Sequence, residues 1–134
     1  MAVSLQRLLG ARLLIVDDDV NLCDVLRQLL RLEGAEVVVT CLTGRQAAAA
    51  SGYDGPFDIV VTDLGLPDIP GDLLIRQMLA TTGRRPHVVV LTGSSDEQQA
   101  AARAAGADVI LTKPVEWTSL LAALEAGRRP PAAA

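Results

Sequence analysis

Short apolar runs alternate with amphipathic stretches along this chain, and that alternation leaves few ways to fold. Runs at 12–16, 36–40, 58–62, 87–91 and 108–111 are rich in Val, Leu and Ile and read as strands. Between them, 20–33 sets Leu22, Cys23, Leu26, Leu29 and Leu30 at helical spacing, with Gly34 just past its end. Thr43 caps a short Ala-rich helix at 44–50, and 51–56 reads as a turn cluster. A helix at 72–81 carries Leu73, Leu74, Met78 and Leu79 on its apolar side, and an Ala-rich helix at 96–105 stops at Gly106. The last helix, 116–126, places Trp117, Leu120, Leu121 and Leu124 at i, i+3, i+4 and i+7. Strand–helix alternation means parallel βαβ units, and near-continuous apolar strands mean that helices cover both sheet faces. Right-handed crossovers then leave a doubly wound five-stranded α/β sheet with five helices.

The length of 134 residues suits one core. Only Tyr53, Phe57 and Trp117 are aromatic, so that core is built from Val, Leu, Ile and Ala. The net charge of −4 gives no electrostatic footprint for nucleic acid, and Arg128 and Arg129 are too few to change this. The apolar runs are too short to span a membrane, and residues 1–10 have no signal-peptide pattern. Cys23 and Cys41 lack CxxC spacing, so the expected compartment is the reducing cytoplasm. The domain is expected at 11–126, after an N-terminal extension at 1–10. A Pro/Ala-rich tail at 127–134 reads as disordered or as a linker.

A doubly wound sheet binds ligands beyond the carboxyl ends of its strands, where strand order reverses. The residues expected on that rim are Asp17, Asp18 and Asp19 after the first strand and Asp63 after the third. Thr92, Gly93 and Ser94 follow the fourth strand, and Lys113 and Pro114 follow the fifth. Clustered carboxylates raise one another's pKa, and a hard divalent cation such as Mg²⁺ relieves their repulsion. A lysine and a hydroxyl nearby supply donors to phosphoryl oxygens, and phosphoryl transfer needs mainly positioning and charge neutralisation. A carboxylate can itself accept the phosphoryl group covalently.

Four stretches together resemble the response regulator receiver family of two-component signalling, from about Arg12 to Glu125. They are Leu-Leu-Ile-Val-Asp-Asp-Asp, Asp-Ile-Val-Val-Thr-Asp-Leu-Gly-Leu-Pro-Asp-Ile-Pro-Gly, Val-Val-Val-Leu-Thr-Gly and Ala-Gly-Ala-Asp-Val-Ile-Leu-Thr-Lys-Pro. The resemblance implies a flavodoxin-like sheet of order 2-1-3-4-5. It makes Asp63 the phosphoacceptor and Asp18, Asp17 and Asp63 the Mg²⁺ carboxylates, Asp17 acting partly through water. The backbone carbonyl of Gly65 completes the metal's protein ligands. Thr92 bonds and reports the phosphoryl group, Lys113 pairs with a phosphoryl oxygen, and the Lys113–Pro114 bond is cis.

The implied donor is a phosphohistidine of a histidine kinase or histidine phosphotransfer protein, or a small phosphodonor. The implied output runs through the face of helix four, strand five and helix five to a protein partner or fused domain. A second copy of the chain is a further candidate occupant of that face. The domain then catalyses only its own phosphorylation and dephosphorylation.

Ile110 stands where many receivers carry Tyr or Phe, which puts the usual aromatic switch in doubt and leaves output to shifts near Thr92 or to another surface. Gly65 and Ser94 occupy two positions that often tune phosphoryl lifetime, and Gly65 has no side chain to exclude water, so a labile phosphoryl group is expected.

Plainer roles suit several residues. Asp19 suits a helix N-cap. An EF-hand reading of Asp17, Asp19 and Asn21 fails because Leu22 and Gln28 replace the required Gly and Glu. His87 starts the fourth strand, away from the acidic rim, and Trp117 is spaced for packing. Pro67 and Gly71 shape the loop at 66–71. No P-loop or G-x-G-x-x-G is present.

Three other functions compete. The opening Leu8-Leu9-Gly10-Ala11-Arg12 resembles the lead-in to receiver modules fused behind histidine kinases, so the chain can be read as a module of a hybrid kinase. A haloacid-dehalogenase-type phosphatase also forms an aspartyl phosphate, but it needs Asp-x-Asp after strand one with the nucleophile first, unlike the Asp63, Thr92 and Lys113 arrangement here. A non-phosphorylated adaptor of the same fold sits poorly with retention of all five site positions. No DNA-binding segment follows the domain in this sequence, so output is expected through another protein.

Overall fold

A computed structural model describes residues 6–81, 83–93 and 95–127. The elements follow in the order β1 (Arg12–Val16), α1 (Val20–Leu32), β2 (Val37–Cys41), α2 (Gly44–Tyr53), β3 (Ile59–Thr62), α3 (Gly71–Thr81), β4 (His87–Thr92), α4 (Asp96–Ala105), β5 (Val109–Thr112) and α5 (Trp117–Glu125). All strand pairings are parallel and the sheet order is β2-β1-β3-β4-β5. The doubly wound α/β expectation is met.

Alternation along the central strands sorts the core into two faces. Leu13 and Ile15 of β1, Ile59 and Val61 of β3, and Val89 and Leu91 of β4 meet Cys23, Leu26 and Leu30 of α1 and Leu120, Leu121 and Leu124 of α5. On the other face, Leu14, Val16 and Val60 meet Ala47 and Ala50 of α2 and Leu74 and Met78 of α3. Val88 and Val90 pack with Ile75 of α3 and with Ala102 and Ala105 of α4. Each fully buried Leu or Ile contributes about 1.5–3 kcal/mol of hydrophobic stabilisation. Phe57 is the one aromatic in the buried core among the described residues, as the composition requires.

Caps match the chemistry of their residues. Asp19 accepts the Leu22 N–H at 3.1 Å and so starts α1. Thr43 accepts the Gln46 N–H at the head of α2, and Ser95 forms a reciprocal box with Gln98 at the head of α4. Gly106, at φ +120°, ends α4 in a conformation that favours glycine. Helix α2 differs from the expected 44–50: it continues through Ser51 and Gly52 to Tyr53, and the Asp54 N–H closes on Ala50 O at 2.7 Å. Turn formers in a last turn cost little, because that turn's carbonyls face water in any case.

The described residues ahead of β1 pack onto the domain. Leu8 is fully buried, and its N–H donates to Glu33 O at 2.9 Å. The expectations for Arg128, Arg129, Ser94 and residues 128–134 fall outside the described residues. Among the described residues, no helix is long and apolar enough to cross a membrane.

Candidate functional site

The sheet order puts β1 and β3 side by side at the centre, with the chain leaving β1 toward β2 on one side and returning to β3 on the other. A crevice opens at the carboxyl ends of two such strands. Asp17 and Asp18 directly follow β1, and Asp63 directly follows β3. One carboxylate oxygen from each of the three lies within 4.8 Å of the others. Asp17 is buried, Asp63 half-buried and Asp18 exposed.

Lys113, delivered by the end of β5, reaches across this cluster. Its Nζ donates to Asp17 Oδ2 at 2.8 Å and to Asp63 Oδ2 at 3.2 Å. The lysine backbone is held from the neighbouring strand, its N–H donating to Thr92 O at 3.0 Å. Thr92 itself is fully buried at the end of β4, between the strands that carry Asp63 and Lys113. The Lys113–Pro114 bond is cis.

Asp63 is oriented by its own loop. Its Oδ1 accepts the N–H of Leu64 at 2.7 Å and of Gly65 at 3.2 Å. Burial alone would raise its pKa; the Gly65 N–H, the Lys113 ammonium and the Leu64 N–H together outweigh burial and hold the carboxyl below its ordinary value. Burial alone would likewise lower the Lys113 pKa, but Asp17 and then Asp63 outweigh it and raise the lysine. Both groups are therefore charged at neutral pH. Asp17 is tied down further: Oδ1 accepts the Asp19 N–H at 2.9 Å, and the Cys23 thiol donates to its backbone carbonyl at 3.3 Å.

The structure thus brings Asp17, Asp18, Asp63 and Lys113 into one cluster. Thr92 supports the lysine backbone, and Gly65 contributes an N–H to Asp63. The N–H groups of Leu64 and Gly65 have no signal in the sequence, because backbone donors carry no residue signature. Gly71 has a tighter role than loop shaping: a Cβ there would stand 2.5 Å from Leu64 Cα and 2.7 Å from Asp63 O.

The all-oxygen donor set fits a divalent cation. Three carboxylates face one ammonium, and a hard dication suits the excess negative charge. Ile110 packs half-buried against the apolar cluster of α3, β4 and α4. His87 sits at the far end of the sheet, where its Nε2 lies 2.9 Å from Ala123 O, and Trp117 packs against the core beside α1 and α5.

The family described as response regulator receiver domain matches residues 13–125. The transcriptional regulatory protein KdpE of Mycobacterium tuberculosis is 40% identical over 122 residues, covering 87% of this chain and 50% of that protein. The BeF3-activated receiver domain of DrrB superposes with a TM-score of 0.77 at 32% identity, covering 89% of this chain and 97% of that one. A response regulator from Burkholderia pseudomallei, solved with a phosphorylated aspartic acid, a calcium ion and citrate, gives a TM-score of 0.78 at 28% identity, over 86% of this chain and 66% of that one. The chain spans about half the length of the curated relatives it matches, among them several transcriptional regulators.

Proposed function

The chain belongs to the response regulator receiver family, and we propose that Asp63 is its phosphoacceptor, taking a phosphoryl group from a partner's phosphohistidine in a Mg²⁺-dependent reaction. The observation that carries this is the Lys113 ammonium bridging Asp17 and Asp63, with an Asp18 oxygen in the same cluster. No plain strand-end role accounts for three acidic groups and one lysine converging from three strands.

Asp17, Asp18 and Asp63, with the backbone carbonyl of Gly65, are the residues that would hold Mg²⁺. Bound there, the ion supplies positive charge where the phosphoryl oxygens gather. The chain's own groups do the rest. Asp63, ionised at neutral pH, attacks phosphorus as its carboxylate, and the phosphorus–nitrogen bond of the phosphohistidine breaks with the electron pair leaving on imidazole. Lys113 lies 3.2 Å from Asp63 Oδ2, so a group built on that carboxylate arrives within the ammonium's reach. Leu64 and Gly65 keep the carboxylate from rotating away. Water later attacks phosphorus, releases inorganic phosphate and regenerates the Asp63 carboxylate.

Thr92 is the reporter in this reading. Its hydroxyl turns to the phosphoryl group, and the shift passes to the face of α4, β5 and α5, where a downstream protein, a fused domain or a second copy reads it. Ile110 does this without an aromatic hydroxyl, so the change is carried by backbone and apolar repacking. The donor is a histidine kinase or histidine phosphotransfer protein, and the setting is the cytoplasm. The protein is a signalling module whose chemistry acts on itself.

The test is intact mass after incubation with acetyl phosphate and Mg²⁺. Wild type gains one phosphoryl group, while Asp63→Asn and a chelator-treated sample gain none. Equal labelling of Asp63→Asn would place the acceptor elsewhere. Steady turnover of a generic phosphoester would favour a phosphatase instead.

A further inference from the structure

Helix α2 does not satisfy its own beginning. The first N–H groups of a helix have no partners within it. Thr43 Oγ1 takes the Gln46 N–H at 3.1 Å and leaves those of Gly44 and Arg45. A residue far along the chain takes both. Asp68 Oδ1 accepts the Gly44 N–H at 2.8 Å, and Asp68 Oδ2 accepts the Arg45 N–H at 2.8 Å. Oδ1 also accepts the N–H of Ile69 at 3.0 Å, which fixes the carboxylate on its own backbone. A carboxylate at a helix N-terminus also meets the positive end of the helix dipole.

Gly44 is what lets the two segments meet. A Cβ there would stand 2.3 Å from Ile69 Cγ1 and 2.6 Å from Cδ1. Asp68 lies in the loop that runs from Asp63 to α3. Gly71 holds the far end of that loop, its N–H donating to Leu64 O at 3.1 Å. In between, Gly65 is exposed, and a Cβ there would meet nothing within 4 Å. The segment from Gly65 to Asp68 runs between these two fixings, with Leu66 half-buried against the apolar cluster of α2 and α3, and its N–H at Gly65 is one of the two that orient Asp63.

Resting on the phosphoacceptor reading, we propose that Asp68 is a positioning residue for the three-carboxylate cluster: by clamping the loop after Asp63 to the head of α2, it fixes the N–H groups that aim the Asp63 carboxylate. Its carboxylate bonds to Gly44, Arg45 and Ile69 and not to Asp17, Asp18 or Lys113. Its influence passes through the loop backbone, as that of groups behind metal ligands commonly does.

Asp68→Asn keeps one acceptor oxygen, and Asp68→Ala keeps none. Mg²⁺ affinity is measured by calorimetry without any phosphodonor, beside thermal melting and hydrogen exchange at Gly44 and Arg45. The expected result is a Mg²⁺ dissociation constant raised about tenfold in Asp68→Ala, a smaller rise in Asp68→Asn, and loss of protection at both amides with a cooperative melt retained. Acetyl phosphate labelling then needs more Mg²⁺ but recovers toward the wild-type rate when Mg²⁺ saturates. Wild-type Mg²⁺ affinity in a folded variant whose Gly44 and Arg45 amides exchange freely would overturn the proposal. So would failure of both variants to fold, since the role would then belong to the fold. The donor-free titration separates this from the phosphoacceptor reading, which fails only if wild type is not labelled on Asp63.

Discussion

Replacing Lys113 by Met, of similar length but without charge, should destabilise the protein when no divalent cation is present and much less when one is. The carboxylate oxygens of Asp17 and Asp63 lie within 4.8 Å, and Lys113 is the cation donating to both. The substitution removes the attraction of the ammonium for both, which for opposite charges at about 3 Å is roughly 5 kcal/mol each at an effective dielectric of about 20, before the cost of desolvating them. The lysine side chain is 30% exposed, so solvent moderates this, and the expected loss is about 2 kcal/mol. Urea unfolding at neutral pH reads the loss as a lower midpoint in chelator. Adding Mg²⁺ to about a hundred times its dissociation constant stabilises a binding protein by about 2.7 kcal/mol. Lys113→Met gains more than wild type, because no ammonium competes for Asp17 and Asp63. The gap between the two proteins should therefore shrink to below about 1 kcal/mol in Mg²⁺. An equal gap in chelator and in Mg²⁺, or no loss in chelator, would refute the claim that lysine and dication serve the same carboxylates.

Gly71→Ala should slow acetyl phosphate labelling of Asp63 and cost about 1–3 kcal/mol in urea unfolding, because the new methyl meets Asp63 O and Leu64 Cα at 2.7 and 2.5 Å; a variant with wild-type labelling and stability would show that the loop yields freely. Asp108 is pulled upward in pKa by burial, but Arg85, the Val88 N–H and His87 outweigh this and hold it below its ordinary 3.8. Unfolded chains therefore bind this proton first, so its contribution is present above that ordinary value and is lost as pH falls through the folded one. Asp108→Asn should flatten the acid limb of a stability-against-pH curve, and an unchanged limb would count against the assignment. Burial, then the charges of Asp17, Asp19 and Asp24, push the Cys23 thiol up to about 11, so it should resist a thiol-specific reagent at pH 8 in the native protein and react in urea. A long-lived phosphoryl group at neutral pH would contradict the open access to Asp63 that Gly65 allows.

The strands were legible because Val, Leu and Ile in continuous runs have one use in a sheet covered on both faces, and the rim residues followed once each strand's end was placed. Lys113 and Asp17 are 96 positions apart, yet topology alone brought them together. What escaped lay in backbone and in approach distances. Ser51 and Gly52 looked like a turn because their local preference is for turns, but at the last turn of α2 that preference is weak against one more closing bond. Asp68 looked like one more loop residue, since nothing local says that its carboxylate reaches α2. Gly44 looked like an ordinary first helical residue until Ile69 was seen against it.

Aspartates at the two ends of the same sheet differ in how their charge is balanced. At the amino ends of the strands, Asp58 accepts the Arg12 N–H at 2.8 Å and pairs with Arg84, and Asp108 accepts the Val88 N–H at 2.8 Å and pairs with Arg85. Each carboxylate there has a backbone donor and its own guanidinium, so charge balances locally and the role is to close the sheet. At the carboxyl ends, three carboxylates lie together and one lysine pairs with two of them, Asp17 and Asp63. Lys113 offsets the charge of two of them, and the third has no cation of its own among the described residues. That excess of negative charge, set beside a buried threonine and a tethered lysine, is what the proposed dication would offset. The same residue type thus meets a different local balance of charge at the two rims.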